Sequence, residues 1–250
     1  MIAFDFDRTL FDTERFKIAL ANSLKKYGIP PKIWRQTYKS SIPSGLTRYQ
    51  IYQPEKHARI IQKLTKINVK KILDAFHKVI KQSSKLIYKE TLPVLKYFQN
   101  KNFTLHLVSF GAKKHQMEKI KNSGIAKFFS KIIISNKPKA SIKFPSPPHP
   151  SPSARRPTTP LPSGDLPQGD TSPPPPRRRG RVGRGRVSPA CGGAREGVIL
   201  VDDNILEIEN LYKKYGNKIK LVWLNRENEP THPPKSVMVI KNLKSLLNIF

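Results

Sequence analysis

The chain opens Met1-Ile-Ala-Phe-Asp5-Phe-Asp7-Arg-Thr9-Leu-Phe11, and the reading of this stretch decides the fold. The apolar run from Ile2 predicts a strand over 2–6, and it delivers two carboxylates, Asp5 and Asp7, at its carboxyl end. Side chains two apart in an extended segment point the same way, so the pair shares a face where α/β proteins place their ligands. Two carboxylates that close repel unless something positive stands between them, and a divalent cation meets that need. Mg²⁺ takes oxygen ligands in octahedral geometry and keeps several waters, so two or three protein carboxylates suffice to hold it.

Working outward, four more short runs of branched and aromatic residues read as strands: Phe103 to Val108, Ile132 to Ile134, Val198 to Val201 and Ile219 to Leu224, with Val237 to Ile240 as a sixth. Runs of this kind suit strands covered on both faces, and they alternate with helical periodicity, the pattern of an α/β domain with a parallel sheet. Nearly a hundred residues separate the first two strands, far more than one crossover needs. They carry helical stripes: Leu20, Leu24 and Tyr27; then Ile60, Ile61, Leu64 and Ile67; then Ile72, Leu73, Phe76, Val79 and Ile80. A helical accessory domain over 15–88 is therefore expected, with re-entry to the sheet domain through Pro93 at a helix start. Trp34, Tyr38, Tyr49 and Tyr52 lie in its less periodic part and either pack its core or line a substrate cleft.

Strand ends supply the remaining chemistry. Asp202 and Asp203 close the run Val198-Ile-Leu-Val, where the chain turns and either acid reaches a shared cation; Asp203 or Asn204 also suits the cap of the following helix, and Asp12 or Thr13 that of the helix after Phe11. Capping accounts for one acid per site and leaves the paired acids to a metal. Ser109 follows the second strand, where its hydroxyl and adjoining backbone N–H groups suit a phosphate oxygen. Lys137 or Lys139, in Ser135-Asn-Lys-Pro-Lys139, follows the third strand and can neutralise charge on a nucleophile and a bound phosphate.

The composition sets the bounds. No stretch of about 18 apolar residues occurs and the N-terminus has no basic n-region, so no membrane association is expected. The single cysteine, Cys191, has no second thiol to pair with, which excludes a disulfide framework and a Cys-built metal site and points to a cytoplasmic setting. The net charge of +30 invites a nucleic-acid reading, yet most lysines are scattered along amphipathic segments as a solvated surface, and the Arg-rich run at 177–186 alone resembles a dedicated arm. Residues 145–195 hold 14 of the 23 prolines and none of the 32 lysines, and lack every aromatic, Ile and Met. Such a segment cannot build a core and reads as a disordered low-complexity insert. It also swaps A/T-rich for G/C-rich codons, so a foreign insertion or sequence-assembly error competes with an embedded RNA- or partner-binding tail.

Together these motifs resemble the haloacid-dehalogenase-like (HAD) hydrolase superfamily. Its Asp-x-Asp-x-Thr signature is matched by Asp5, Asp7 and Thr9, its Ser or Thr by Ser109, its Lys, often followed by Pro, by Lys137, and its acidic pair by Asp202 and Asp203. The resemblance implies a Rossmann-like three-layer α/β sandwich with a parallel sheet, built from 1–14, 89–144 and 196–250, and a small helical type 1 cap over 15–88. It implies a magnesium-dependent phosphatase acting on a small phosphorylated metabolite, with Asp5 as nucleophile and Asp7 as acid and base. Thr9, Ser109 and Lys137 would bind phosphate, and Asp5, Asp7 (through its backbone carbonyl), Asp202 and Asp203 would hold Mg²⁺. Two departures stand out. Arg8 occupies a position that is commonly Gly, and 145–195 falls where the family has a helix, of which Ser141 to Phe144 look like a truncated start. The rival readings are a phosphomutase on the same fold and a non-enzymatic basic nucleic-acid-binding protein.

Overall fold

The computed structural model describes residues 1–42, 51–144 and 197–250; Tyr49, Cys191, the Arg-rich run and the whole of 145–195 lie outside the described residues. Six strands occur among them: β1 (Ile2–Phe4), β2 (Leu105–Phe110), β3 (Lys131–Ser135), β4 (Val198–Asp202), β5 (Ile219–Leu224) and β6 (Met238–Ile240). They form one sheet in the order β3-β2-β1-β4-β5-β6, with every neighbouring pair parallel. The centre of the sheet is covered on both sides, since all of β1 and all of β4 are buried. That burial is why these strands read as unbroken apolar runs and not as alternating ones.

The two-residue period assigns successive side chains to opposite layers. Ile2 and Phe4 join a cluster with Val94 and Phe98 of α5 (Thr91–Asn100) and with Leu243 and Leu246 near the C-terminus. Ala3, between them, joins Leu200, Trp223 and the Ile208 and Leu211 side chains of α7 (Ile205–Tyr215). The chain is thus a three-layer α/β sandwich. Between β1 and β2 come α1 (Thr13–Ser23), α2 (Pro31–Ser41), α3 (Pro54–Thr65) and α4 (Val69–Lys81), a helical cap whose Phe16, Trp34, Ile61 and Phe76 extend the first cluster. Local signals set these boundaries: Pro31 and Pro54 stand at helix starts, and the side chains of Asp12, Asn68 and Asn204 accept the first-turn N–H of α1, α4 and α7. After β2 comes α6 (Lys113–Asn122).

Two expectations need correction. The stripe predicted on α3 is rotated: Pro54, His57, Ala58 and Ile61 face inward, while Leu64 is 62% exposed. A buried histidine sits at the middle of that face, so a reading based on apolar residues alone keeps Ile61 but turns the face toward the exposed Leu64. Ser141 to Phe144 do not start an α-helix. A single 3-10 turn covers Lys139–Ser141, and the chain then runs along α7, with Tyr215 donating its hydroxyl to the Ile142 carbonyl at 2.6 Å. No helix among the described residues is long and apolar enough to cross a membrane.

His57 has a measurable consequence. The Thr37 hydroxyl donates to the Ile33 carbonyl at 2.7 Å, which leaves its oxygen to accept from His57 Nε2–H at 2.8 Å, while Nδ1 accepts from the Tyr52 hydroxyl at 2.9 Å. The ring is therefore satisfied as the neutral imidazole, and burial lowers its pKa to about 4. Between its unfolded value of about 6.5 and pH 4, the unfolded chain takes up a proton that the folded one refuses. Stability present above pH 6.5 is expected to fall by about 3 kcal/mol as the pH drops through this window. Thermal unfolding followed from pH 7 to pH 4.5 should show the loss, and His57→Gln should lessen it by that share; His115, whose pKa burial and Lys119 lower to about 3, contributes in the same direction.

Candidate active site

The register of the sheet brings the acids together. Phe4 lies level with Leu107 on one side and Val201 on the other, so Asp5, one residue on, comes abreast of Asp202 at the carboxyl end of β4. The Asp5 N–H donates to the Val201 carbonyl at 2.9 Å, which fixes this approach. One oxygen each from Asp5, Asp202 and Asp203 lies within 4.8 Å of the others. Asn204, not Asp203, caps α7, so neither acid of the pair is consumed by capping.

A buried ammonium completes the cluster. Lys139 Nζ lies 2.6 Å from Asp5 Oδ1 and 2.6 Å from Asp202 Oδ2, and all three residues are at most 6% exposed. The motif match to Lys137 is corrected here: Lys137 is exposed, and its N–H and carbonyl do no more than close a small turn on the Ser135 hydroxyl. Pro138 and the 3-10 turn after it swing the second lysine inward, and the Glu207 carboxylate accepts the Lys139 N–H at 3.0 Å.

The charges do not balance. Burial pushes the Asp5 carboxyl well above the usual range, partly opposed by Lys139 and reinforced by Asp202 and Asp203. Burial and the neighbouring Asp202 raise Asp203 to about 7, against the pull of Lys139 and Arg8. Burial works against the Lys139 ammonium, yet Asp202 and Asp5 outweigh it and raise its pKa. Three carboxylates facing one buried ammonium leave surplus negative charge, and the donors are all hard oxygens. That set fits Mg²⁺ or a similar dication.

Asp7 faces elsewhere. Its carboxylate accepts from Thr13 Oγ1 at 2.8 Å, from Lys119 Nζ at 2.6 Å and from the Gln116 amide, so its side chain stands apart from the three-acid group. Burial would raise its pKa, but Lys119 and these hydrogen bonds outweigh that, and Asp7 lies below the usual carboxylate value. Lys119 is 4% exposed and is enclosed by the rings of Phe6, Phe11 and Phe16 at 5.2 to 5.3 Å. The fully buried Ser109 lies within β2 near its end, where its hydroxyl is 2.9 Å from Gln116 Nε2. Thr9, also fully buried, donates to Asp203 Oδ1 at 3.3 Å.

The turn from Asp7 to Leu10 is shaped by Arg8, whose φ of 61° is left-handed and explains why glycine would suit this place. The Arg8 guanidinium ion-pairs with Glu227 and lies 3.6 Å from Asp203. Arg226 holds the same turn from outside. It donates to the Arg8 and Thr9 carbonyls at 3.2 and 3.0 Å, pairs with Glu90 at 2.6 Å and stacks 3.8 Å over Tyr88. Lys119, Gln116, Glu207 and Arg226 were not legible as site residues. One trace existed for Gln116: Gly111 has φ of +147°, and a Cβ there would come 2.9 Å from the Gln116 side chain.

Residues 2–152, more than half of the chain, match the family described as haloacid dehalogenase-like hydrolase, and the chain belongs to that family. Among solved structures, a haloacid dehalogenase-like hydrolase from Burkholderia xenovorans LB400 aligns with a TM-score of 0.64 at 13% identity, covering 99% of this chain and 94% of that one. The HAD-hydrolase YfnB of Bacillus subtilis, bound to magnesium, aligns with a TM-score of 0.57 at 13% identity over 99% and 96% of the two chains. A Thermotoga maritima protein assigned as a β-phosphoglucomutase gives 0.54 at 13% identity over 99% and 96%. At such identities the likeness establishes the fold. The comparison with curated proteins gave no match.

Proposed function

We propose that this chain is a magnesium-dependent phosphatase that hydrolyses a small phosphomonoester through an aspartyl-phosphate on Asp5. The observation that carries the reading is the gathering of Asp5, Asp202 and Asp203 around the buried Lys139 ammonium at the carboxyl end of the sheet. Asp5, Asp202, Asp203 and the Asp7 backbone carbonyl are the oxygens that would hold Mg²⁺. When bound, the ion screens the anionic phosphoryl group from the anionic nucleophile. The magnesium bound to YfnB, which has the same fold, supports this assignment.

An Asp5 oxygen forms the bond to phosphorus as the bond to the leaving oxygen breaks, and ionised Asp7 relays to that oxygen the proton carried by the monoanionic phosphomonoester. Asp7 then takes a proton from the water whose oxygen displaces Asp5 and releases phosphate. Thr9, Ser109 and Lys139, in place of Lys137, hold the transferring oxygens, where most of the rate enhancement arises. Ionised Asp7, receiving hydrogens from Thr13, Gln116 and Lys119, is set for the second, water-activating step. Residues 15–88 act as the cap that excludes bulk water and meets the leaving group.

Release of inorganic phosphate from p-nitrophenyl phosphate should stop when EDTA removes the metal and return when Mg²⁺ is added in excess. Turnover that persists in EDTA would count against the metal assignment. An isomerised sugar phosphate without free phosphate would indicate a mutase instead.

A further inference from the structure

Asp7 is shared by two regions. It follows Asp5 of the three-acid cluster by two residues, while its side chain forms part of the wall of a cavity of about 160 Å³ between α1, α2 and the segment joining β2 to α6. In the reaction proposed above, Asp7 delivers a proton to the leaving oxygen. The group that occupies this cavity is therefore the leaving group, not the phosphoryl group.

Five of the side chains in the walls are rings. Phe16, Tyr38, Tyr52, Phe110 and His115 line the cavity, and several touch one another there. Tyr38 and Tyr52 have ring centroids 5.2 Å apart, Tyr52 and His115 5.7 Å, and Phe16 and His115 6.1 Å. Tyr38 is held from behind by Trp34, which stacks on it at 4.9 Å with 19° between the planes. Many of the polar groups in the walls are already committed to protein partners: Lys119 and Thr13 to Asp7, the Tyr52 hydroxyl to His57, and Lys17 to Glu14. The buried Gln116 carbonyl oxygen is an acceptor with no partner among the described residues. A ring bearing many hydroxyls would exchange water for aromatic faces and leave most of its hydrogen bonds unmade. A flat ring would find stacking faces and edge contacts.

Size narrows the choice. An apolar cavity of about 150 Å³ admits one benzene ring, so 160 Å³ matches a single ring. Resting on the phosphatase reading, we propose that the substrate is the phosphomonoester of a single-ring aromatic or heteroaromatic alcohol, whose ring is seated between Tyr38 and the Phe16 and His115 side.

The test compares benzyl phosphate, cyclohexylmethyl phosphate and glycerol 3-phosphate on the full chain with Mg²⁺. The first two share a CH₂–O leaving group and similar bulk and differ in planarity, so leaving-group acidity is held nearly constant. We expect kcat/KM for benzyl phosphate to exceed that for cyclohexylmethyl phosphate by about tenfold. Tyr38→Leu should bring the ratio close to one by raising KM for the benzyl ester, and Tyr38→Phe should keep it. Comparable kcat/KM for the two ring esters, or a preference for glycerol 3-phosphate, overturns the aromatic assignment and leaves the phosphatase reading in place. Retention of the preference in folded Tyr38→Leu removes Tyr38 from the proposed seat and overturns it too. Absence of phosphate release from every ester overturns both readings together.

Discussion

Asp5→Asn is expected to lower phosphate release by at least about 10⁴-fold, the scale on which removal of a nucleophile acts in enzymes that form a covalent intermediate. The amide nearly matches the carboxylate in shape, so the fold around it need not move. It lacks the negative charge that makes the carboxylate oxygen a nucleophile toward phosphorus. The variant also separates chemistry from folding. Asp5 is 6% exposed and sits with Asp202 and Asp203 around one ammonium, so removal of its charge relieves crowding among the acids. In the absence of metal, Asp5→Asn should therefore unfold at a temperature equal to or above that of the parent chain, as expected where an active site carries a cost in stability. No phosphoenzyme should be trapped by acid quench. Full activity in this variant would remove Asp5 from the nucleophile's role.

Lys139→Met should produce the second large effect, in both activity and stability. The ammonium is the cation that offsets Asp5 and Asp202 in the buried cluster, at 2.6 Å from each. Its removal leaves two carboxylates buried without it, and removal of one partner from a buried ion pair costs about 3–5 kcal/mol. In a chain of this size that corresponds to a drop of about 10 °C in Tm. Because Mg²⁺ supplies the missing positive charge, millimolar Mg²⁺ should restore more of the Tm in this variant than in the parent. Turnover should still fall by about 100-fold, since a fixed donor to the transferring oxygens is lost. Lys137→Met is the control, because an exposed lysine engaged only through its own backbone should change stability by no more than about 0.5 kcal/mol. Equal behaviour of the two variants would contradict the assignment of Lys139 to the site.

The contrast between these lysines shows where sequence reading succeeds and where it stops. Strands announced themselves as apolar runs, and three of the six end at a candidate functional residue. Asp5, Asp202 and Ser109 all lie at the carboxyl ends of such runs, and the parallel sheet brings those ends to one edge. Lys137 and Lys139 sit two residues apart after the same strand, and the choice between them depends on a single 3-10 turn and on an N–H held by Glu207, 68 positions away. The partners of Asp7 were hidden for a related reason. Lys119 and Gln116 lie on a helix with no apolar interruption to mark them, and one lysine among 32 carries no label. The inward side of α3 was misassigned because a buried, fully bonded histidine replaces an apolar residue there.

The guanidinium of Arg226 carries a consequence for how the turn at Arg8 can vary. Two hydrogen bonds from one planar group, itself held by Glu90 and Tyr88, tie the left-handed bend at Arg8 to a loop 218 positions further along the chain. Lysine would keep the charge there but not the flat, forked set of donors. The stiffness of the bend, and with it the aim of the Asp5 oxygen proposed to attack phosphorus, is thus governed from a place where substitutions leave every proposed reacting group intact.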